Sequence, residues 1–138
     1  MRLIVGFAPG GGADLAGRLV AQWLSERLGQ QFVVENRPGA GANIAMDSVA
    51  KSVPDGHTLL LVSPGAAINA TPKSTPTEIV VKLNSELNAA VADPKMKARF
   101  ADLGGTSLAG SPADFAKLIA EETEKWGKVI RAANIKAD

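Results

Sequence analysis

Within the first 66 residues, a short apolar run is followed three times by a loop of small residues, and the first two of these loops lead into a helix-period segment. Leu3 to Phe7 reads as a buried strand, followed by APGGGAD. From Asp14 to Leu28, the side chains Leu15, Leu19 and Trp23 recur at i+4, with Val20 and Leu24 widening the stripe, and Gly29 ends the helix. Phe32 to Val34 reads as a second strand, NRPGAG as its loop, and Asn43 to Lys51 as a shorter helix with Ile44, Ala45 and Val49 inward. PDGH turns the chain into a third strand, Leu59 to Val62, which ends in SPG. Such alternation builds a parallel sheet with helices on its faces, and the loops after the strands then leave from one edge, where α/β proteins bind ligands. The expected fold class is α/β: a single three-layer domain with a small, mainly parallel sheet flanked by helices.

The second half changes character. Thr75, Pro76 and Glu78 combine an N-cap, a proline at the first helical position and a capping-box acid ahead of Ile79, Leu83, Leu87 and Val91. Asp93-Pro94 opens a short helix with Met96, Phe100 and Leu103, closed by Gly104-Gly105, and Thr106 to Leu108 hints at a strand. Ser111, Pro112 and Asp114 then start a long amphipathic helix whose apolar side chains Phe115, Leu118, Ile119, Trp126, Val129 and Ile130 are expected in the core. Between the halves, PGAAINATPKSTP at 64 to 76 lacks a firm period, and the βα alternation stops after three strands where open sheets usually continue to about five.

Length and charge narrow the function. At 138 residues with 46% hydrophobic side chains, one core is expected, hence one domain. A formal charge of +1 with interspersed signs supplies no field for a polyanion, so nucleic acid is excluded as an expected partner. The chain has no cysteine and a single histidine, His57, which rules out thiolate chemistry, Cys-ligated metal and a histidine metal cluster. No apolar run approaches the roughly 20 residues that span a bilayer, so a soluble protein is expected. MRLIVGF enters strand-like sequence at once, so no export signal is expected on the chain as given, and a cytoplasmic location follows for it as expressed. Ser63 has no histidine partner at a suggestive spacing, His57 sits in a turn, and Asp14 stands where helix caps stand; no catalytic residue is assigned.

The glycine loop admits three readings. A phosphate-binding P-loop needs a lysine and a hydroxyl after its last glycine, where this chain has Ala13 and Asp14. The dinucleotide fingerprint is met at Gly10 and Gly12, with Glu35 about twenty residues on, but Leu15 stands in place of the third glycine. This is the alternative reading, a Rossmann-like enzyme domain. The third needs only backbone N–H groups beside the positive end of a helix dipole, a setting for a small carboxylate. PGAGAN at 38 to 43 and SPGA at 63 to 66 offer two further loops of the same kind.

VGFAPGGGAD, VVENRPGAGANI and PDGHTLLLVSPGA, together with the stretch from TPKSTP to the end, resemble the solute-binding proteins of tripartite tricarboxylate transporters, the periplasmic Bug family, over nearly the whole chain. The resemblance implies one lobe of a type II periplasmic binding protein. In it, residues 1–66 and 73–138 build lobe one, and a seam at 67–72 replaces lobe two. It also implies a receptor rather than an enzyme, with no cofactor and no metal, that holds a carboxylated metabolite for a membrane transporter. The implied ligand-binding residues are Phe7, Ala8, Pro9, Gly10, Gly11, Gly12, Ala13 and Asp14 in the first loop, Gly41, Ala42 and Asn43 in the second, and Ser63, Pro64, Gly65 and Ala66 in the third. Without its second wall the lobe is expected to bind weakly or not at all, and its former inter-lobe surface is expected to favour self-association. Arg37, the basic residue nearest these loops, is expected to face solvent or pair with an acid rather than clamp a ligand.

Overall fold

Leu3, Ile4 and Val5 expose no surface, and a strand that hides consecutive side chains must be covered on both faces. The computed structural model, which describes residues 1–61, 71–106 and 109–132 (for Trp126 and Ile130 the backbone only), places them in the middle of a sheet. Strand β1 (Arg2–Val5) lies between β2 (Val33–Asn36) and β3 (Thr58–Leu61), in the order β2-β1-β3, and both pairings are parallel. The alternation of βα units in the sequence has its expected outcome.

Side chains of opposite parity feed two cores. Leu3, Val5, Leu59 and Leu61 pack with Val20, Ala21 and Leu24 of α1 (Gly12–Leu28) and with Leu83 and Leu87 of α3 (Thr77–Ala92). Ile4 and Leu60 point the other way, onto Ala45 and Val49 of α2 (Asn43–Ala50). The result is three layers, α1 and α3, then the sheet, then α2. Helix α1 comes close to the strands at Gly17, where an added Cβ would lie 3.0 Å from Val5 Cγ2. Gly29 ends it in a left-handed conformation at φ 62°.

Several expectations need correction. Phe7 does not continue β1: the strand stops at Val5, and Phe7 is exposed in the following loop. Phe32 precedes β2 and is buried, whereas Val33 is exposed, since β2 is an edge strand. Ile44 does not turn inward; it is exposed and lies over Gly39, whose added Cβ would meet its Cδ1 at 2.6 Å. Thr75 does not cap α3. Pro76 is the N-cap, and the Thr75 hydroxyl donates to Pro72 O at 2.8 Å instead.

Asp93 does cap α4 (Pro94–Asp102), accepting from the amides of Lys95 and Met96 at 2.9 and 3.0 Å. Ser111 and Asp114 form a reciprocal box at the start of α5 (Pro112–Ala132), with the Asp114 amide donating to Ser111 Oγ and the Ser111 amide donating to Asp114 Oδ2. Among the described side chains of the α5 stripe, however, none is buried: Leu118, Ile119 and Val129 are exposed and Phe115 is half-buried. Trp126 and Ile130 side chains, the strand hinted at Thr106 to Leu108 beyond Thr106 itself, and Val62 fall outside the described residues. No helix among the described residues is long and apolar enough to cross a membrane.

Candidate functional site at the carboxyl edge of the sheet

Parallel strands that end level deliver their loops to one edge. Here Val5 pairs with Asn36 on one side and with Leu61 on the other, so these three residues stand at the same height at the carboxyl edge. The first loop runs from Gly6 to Gly11 and enters α1. The second runs from Arg37 through a short turn at Ala40–Ala42 into α2. The Arg37 amide donates to Val5 O at 2.8 Å, which carries the strand pairing one step into the second loop. The third loop, with Ser63, Pro64, Gly65 and Ala66, lies outside the described residues.

In the first loop, Phe7, Ala8, Pro9, Gly10, Gly11 and Gly12 are exposed, while Ala13 and Asp14 are buried. Gly10 takes φ 83°, a conformation glycine adopts without strain, and Gly11 is the N-cap of α1 with no side chain to satisfy the first-turn amides. Those of Gly12 and Ala13 have no acceptor within their own helix, which leaves donors at a dipole's positive end.

Asp14 is 2% exposed, and its carboxylate is already engaged. Oδ2 accepts from the Gly10 amide at 2.9 Å and from Arg18 Nε at 3.0 Å, one helical turn away. Oδ1 accepts from Asn36 Nδ2 at 3.0 Å, and the same nitrogen donates to Phe7 O at 3.0 Å. The Arg18 guanidinium first, then the Gly10 amide, and to a smaller extent Asn36, hold the carboxyl at a pKa of about 2, below its ordinary 3.8, against the opposing effect of burial. Asp14 is therefore a brace inside the loop, and the Gly10 amide is committed to it. No local signal marks Asn36 as part of this brace, because the contact spans 22 residues.

In the second loop, four consecutive residues have positive φ: Gly39 at 129°, Ala40 at 47°, Gly41 at 61° and Ala42 at 73°. Two of them are alanines, for which the left-handed region carries a steric cost. Gly41 and Asn43 are exposed at this turn and Ala42 is buried. Arg37 pairs with Glu35 Oε2 at 3.2 Å and donates to Ser48 Oγ, so it pairs with an acid, as expected.

Glu35 is shared between Arg37 and Arg2, the latter at 3.9 Å, so its carboxylate is tied along the strand rather than presented to a ribose. Leu15, at the fingerprint's third-glycine position, is exposed, and the close helix-to-strand approach is made by Gly17 instead. His57 immediately precedes β3, at the opposite edge of the sheet from these loops, and its carbonyl accepts from the Arg2 amide. Among the described residues no group of three or more His, Asp or Glu side chains is placed to hold a metal ion. Among the described residues, the edge thus presents main-chain donors.

This architecture matches the fold of one lobe of a periplasmic binding protein. The chain belongs to the tripartite tricarboxylate transporter family receptors, whose family model matches residues 16–71 and 67–135. It is 51% identical over 63 residues to a UPF0065 protein and 48% identical over 68 residues to the protein BugT, both of Bordetella pertussis, covering 46% and 49% of this chain. It spans only about a fifth of those relatives, 20% and 21% of their lengths.

Two solved structures share the fold. One is Rpa4515 of R. palustris with adipate, at TM-score 0.87 and 18% identity, over 98% of this chain and 97% of that one. The other is the periplasmic binding protein BugD, at TM-score 0.84 and 16% identity, over 100% and 98%. The family is one of periplasmic solute-binding receptors.

Proposed function

We propose that the edge formed by the first two loops, together with Ser63 to Ala66, is one wall of a cradle for a small carboxylate. On this reading the chain is a non-enzymatic receptor lobe whose parent delivers that ligand to a membrane transporter. The observation that carries the proposal is the level ending of β1, β2 and β3, which gathers a triglycine turn and a left-handed turn at one rim. The contacts would come from the amides of Gly11, Gly12 and Ala13 and from Gly41, Ala42 and Asn43, with Phe7, Ala8 and Pro9 as the apolar border. Gly10 and Asp14 contribute by holding the loop's shape.

Family membership and the adipate of the Rpa4515 structure support a carboxylate as the ligand class. The family model also matches twice, with its two matches meeting at residues 67–71, which supports a chain made of two receptor segments, 1–66 and 73–138, joined at a seam. In that case the second wall of the cradle is missing. Losing enclosure strips most of the contact a small molecule makes, and every 1.4 kcal/mol lost is tenfold in affinity.

Isothermal titration with adipate should therefore show no saturable heat below about millimolar concentration, a level worth only about 4 kcal/mol of binding. Tight stoichiometric heat would show that the cleft needs no second wall. Saturable binding of NADH, with none of adipate at any concentration, would replace the carboxylate reading altogether. The exposed apolar side chains at the rim, Phe7 and Leu15, are the surface through which the isolated lobe would self-associate.

A further inference from the structure

Gly6 is buried at the end of β1, yet its own backbone does not require glycine, because it is absent from the residues with positive φ. Its requirement is one of space. A Cβ built on Gly6 would lie 2.4 Å from the Ala42 methyl, 3.1 Å from Ala42 Cα and 3.4 Å from the Ala45 methyl. Ala42 is the residue that closes the left-handed run, with φ 73° and ψ 3°, and it is 5% exposed.

An alanine in that region persists only where its surroundings over-determine it. Here the surroundings are the hollow over Gly6, with the Ala42 amide donating to Gly39 O at 3.0 Å from the other side. The methyl that makes the conformation costly is the same methyl that fills the hollow.

We propose that Gly6 is the positioning residue of the second loop: by leaving room for the Ala42 methyl, it holds the turn from Gly39 to Ala42 in its left-handed form and so fixes where Gly41 and Asn43 stand at the rim. The role in ligand placement rests on the carboxylate reading above, whereas the lock itself does not. Alanine at position 6 forces either the strand end or the turn to move. The turn yields, since its alanines gain by leaving the left-handed region.

The test is a cycle of four proteins: the parent, Gly6→Ala, Ala42→Gly and the double variant, compared by urea unfolding and by amide NMR spectra. Overpacking of this size is expected to raise the unfolded-to-folded ratio of Gly6→Ala by roughly ten-fold or more. Ala42→Gly loses a buried methyl and sheds left-handed strain, so it is expected to stay within about three-fold of the parent. The double variant should lie within about three-fold of Ala42→Gly, with the amide resonances of Gly39 to Asn43 displaced in Gly6→Ala and restored toward the Ala42→Gly positions in the double. Should Gly6→Ala fail to fold, folding of the double variant would still show the rescue.

Equal cost of Gly6→Ala with and without the Ala42 methyl overturns the proposal, as does failure of both variants to fold. In a millimolar adipate titration followed by NMR, the parent should show shifts at both Gly12 and Asn43, and Gly6→Ala should keep the first and lose the second. An Asn43 response that survives in Gly6→Ala removes Gly6 from ligand placement. No response at either residue in the parent defeats the carboxylate reading, and the unfolding cycle then still judges the lock.

Discussion

A buried carboxylate survives only when its oxygens are satisfied, and Asp14 meets that condition with three donors drawn from a loop, a helix and a neighbouring strand. Its folded pKa of about 2 lies below the ordinary 3.8, so the unfolded chain binds the proton more tightly. The sign follows: the stabilisation is full above about pH 4 and is lost as pH falls through the folded value toward 2, an effect on the order of 2 kcal/mol. Urea midpoints measured at a series of pH values should fall over that window for the parent protein. The Asp14→Asn variant should be less stable at neutral pH and should show a smaller fall there. An unchanged pH profile in Asp14→Asn would show that the brace does not carry the acid sensitivity. The residue itself was legible as a helix-start acid, but its partners were not, because neither the 22-residue separation from Asn36 nor the inward rotation of the side chain has a local signature.

Among the elements, those defined by local chemistry were readable from the sequence. Asp93-Pro94 opens a helix because an aspartate caps and a proline loses no bond at the first position, and both hold in the structure. The turn at Ala40–Ala42 was not readable, since nothing about alanine suggests left-handed backbone and the glycine that faces the Ala42 methyl, Gly6, lies in the loop after β1, far away in sequence. Helix α5 marks a different limit: amphipathic spacing shows that one face is apolar, not that another element of the chain covers it. Leu24, fully buried between α1 and the sheet, and Leu118, exposed on α5, put this to the test. Leu24→Ala should cost about 2–5 kcal/mol. Leu118→Ala should stay within about 0.5 kcal/mol, as surface substitutions do. Equal costs in urea titrations would mean that α5 packs as core.

Among the described residues, the start of α5 is held by hydrogen bonds to α3. Gly110, just before the helix, receives Asn84 and Asn88 side-chain amides on its carbonyl, both at 3.0 Å, and donates its own amide to Asn88 Oδ1 at 2.9 Å. These bonds tie the start of the helix to α3, and the Ser111 and Asp114 box sets its direction.

For the molecule as a whole, the parallel pairing followed from the βα alternation, whereas the order β2-β1-β3 comes from the structure, and the third loop's place could be argued only from the height of Leu61. Two exposed apolar surfaces have different origins in this picture, the rim with Phe7 and Leu15 and the face of α5 with Leu118, Ile119 and Val129. If the rim is a former inter-lobe surface, light scattering at several protein concentrations should show mass rising with concentration, and Phe7→Ser should suppress it more than Ile119→Lys does. The reverse order would move the sticky surface to α5, and a constant monomer mass would remove self-association from the account.

The level strand ends also dictate where this chain can change length. One residue added inside β3 would displace everything after it by about 3.3 Å and turn each following side chain to the opposite face of the sheet. Leu59 and Leu61 would then trade places with Leu60, and both cores would be spoiled together with the rim. The same addition beside Val53, an exposed residue in the connection that returns the chain to the amino edge, would leave the pairing of Val5 with Leu61 untouched. Insertions and deletions should therefore accumulate at the amino edge of the sheet, and the spacing from Arg2 to Val5 and from Thr58 to Leu61 should resist them.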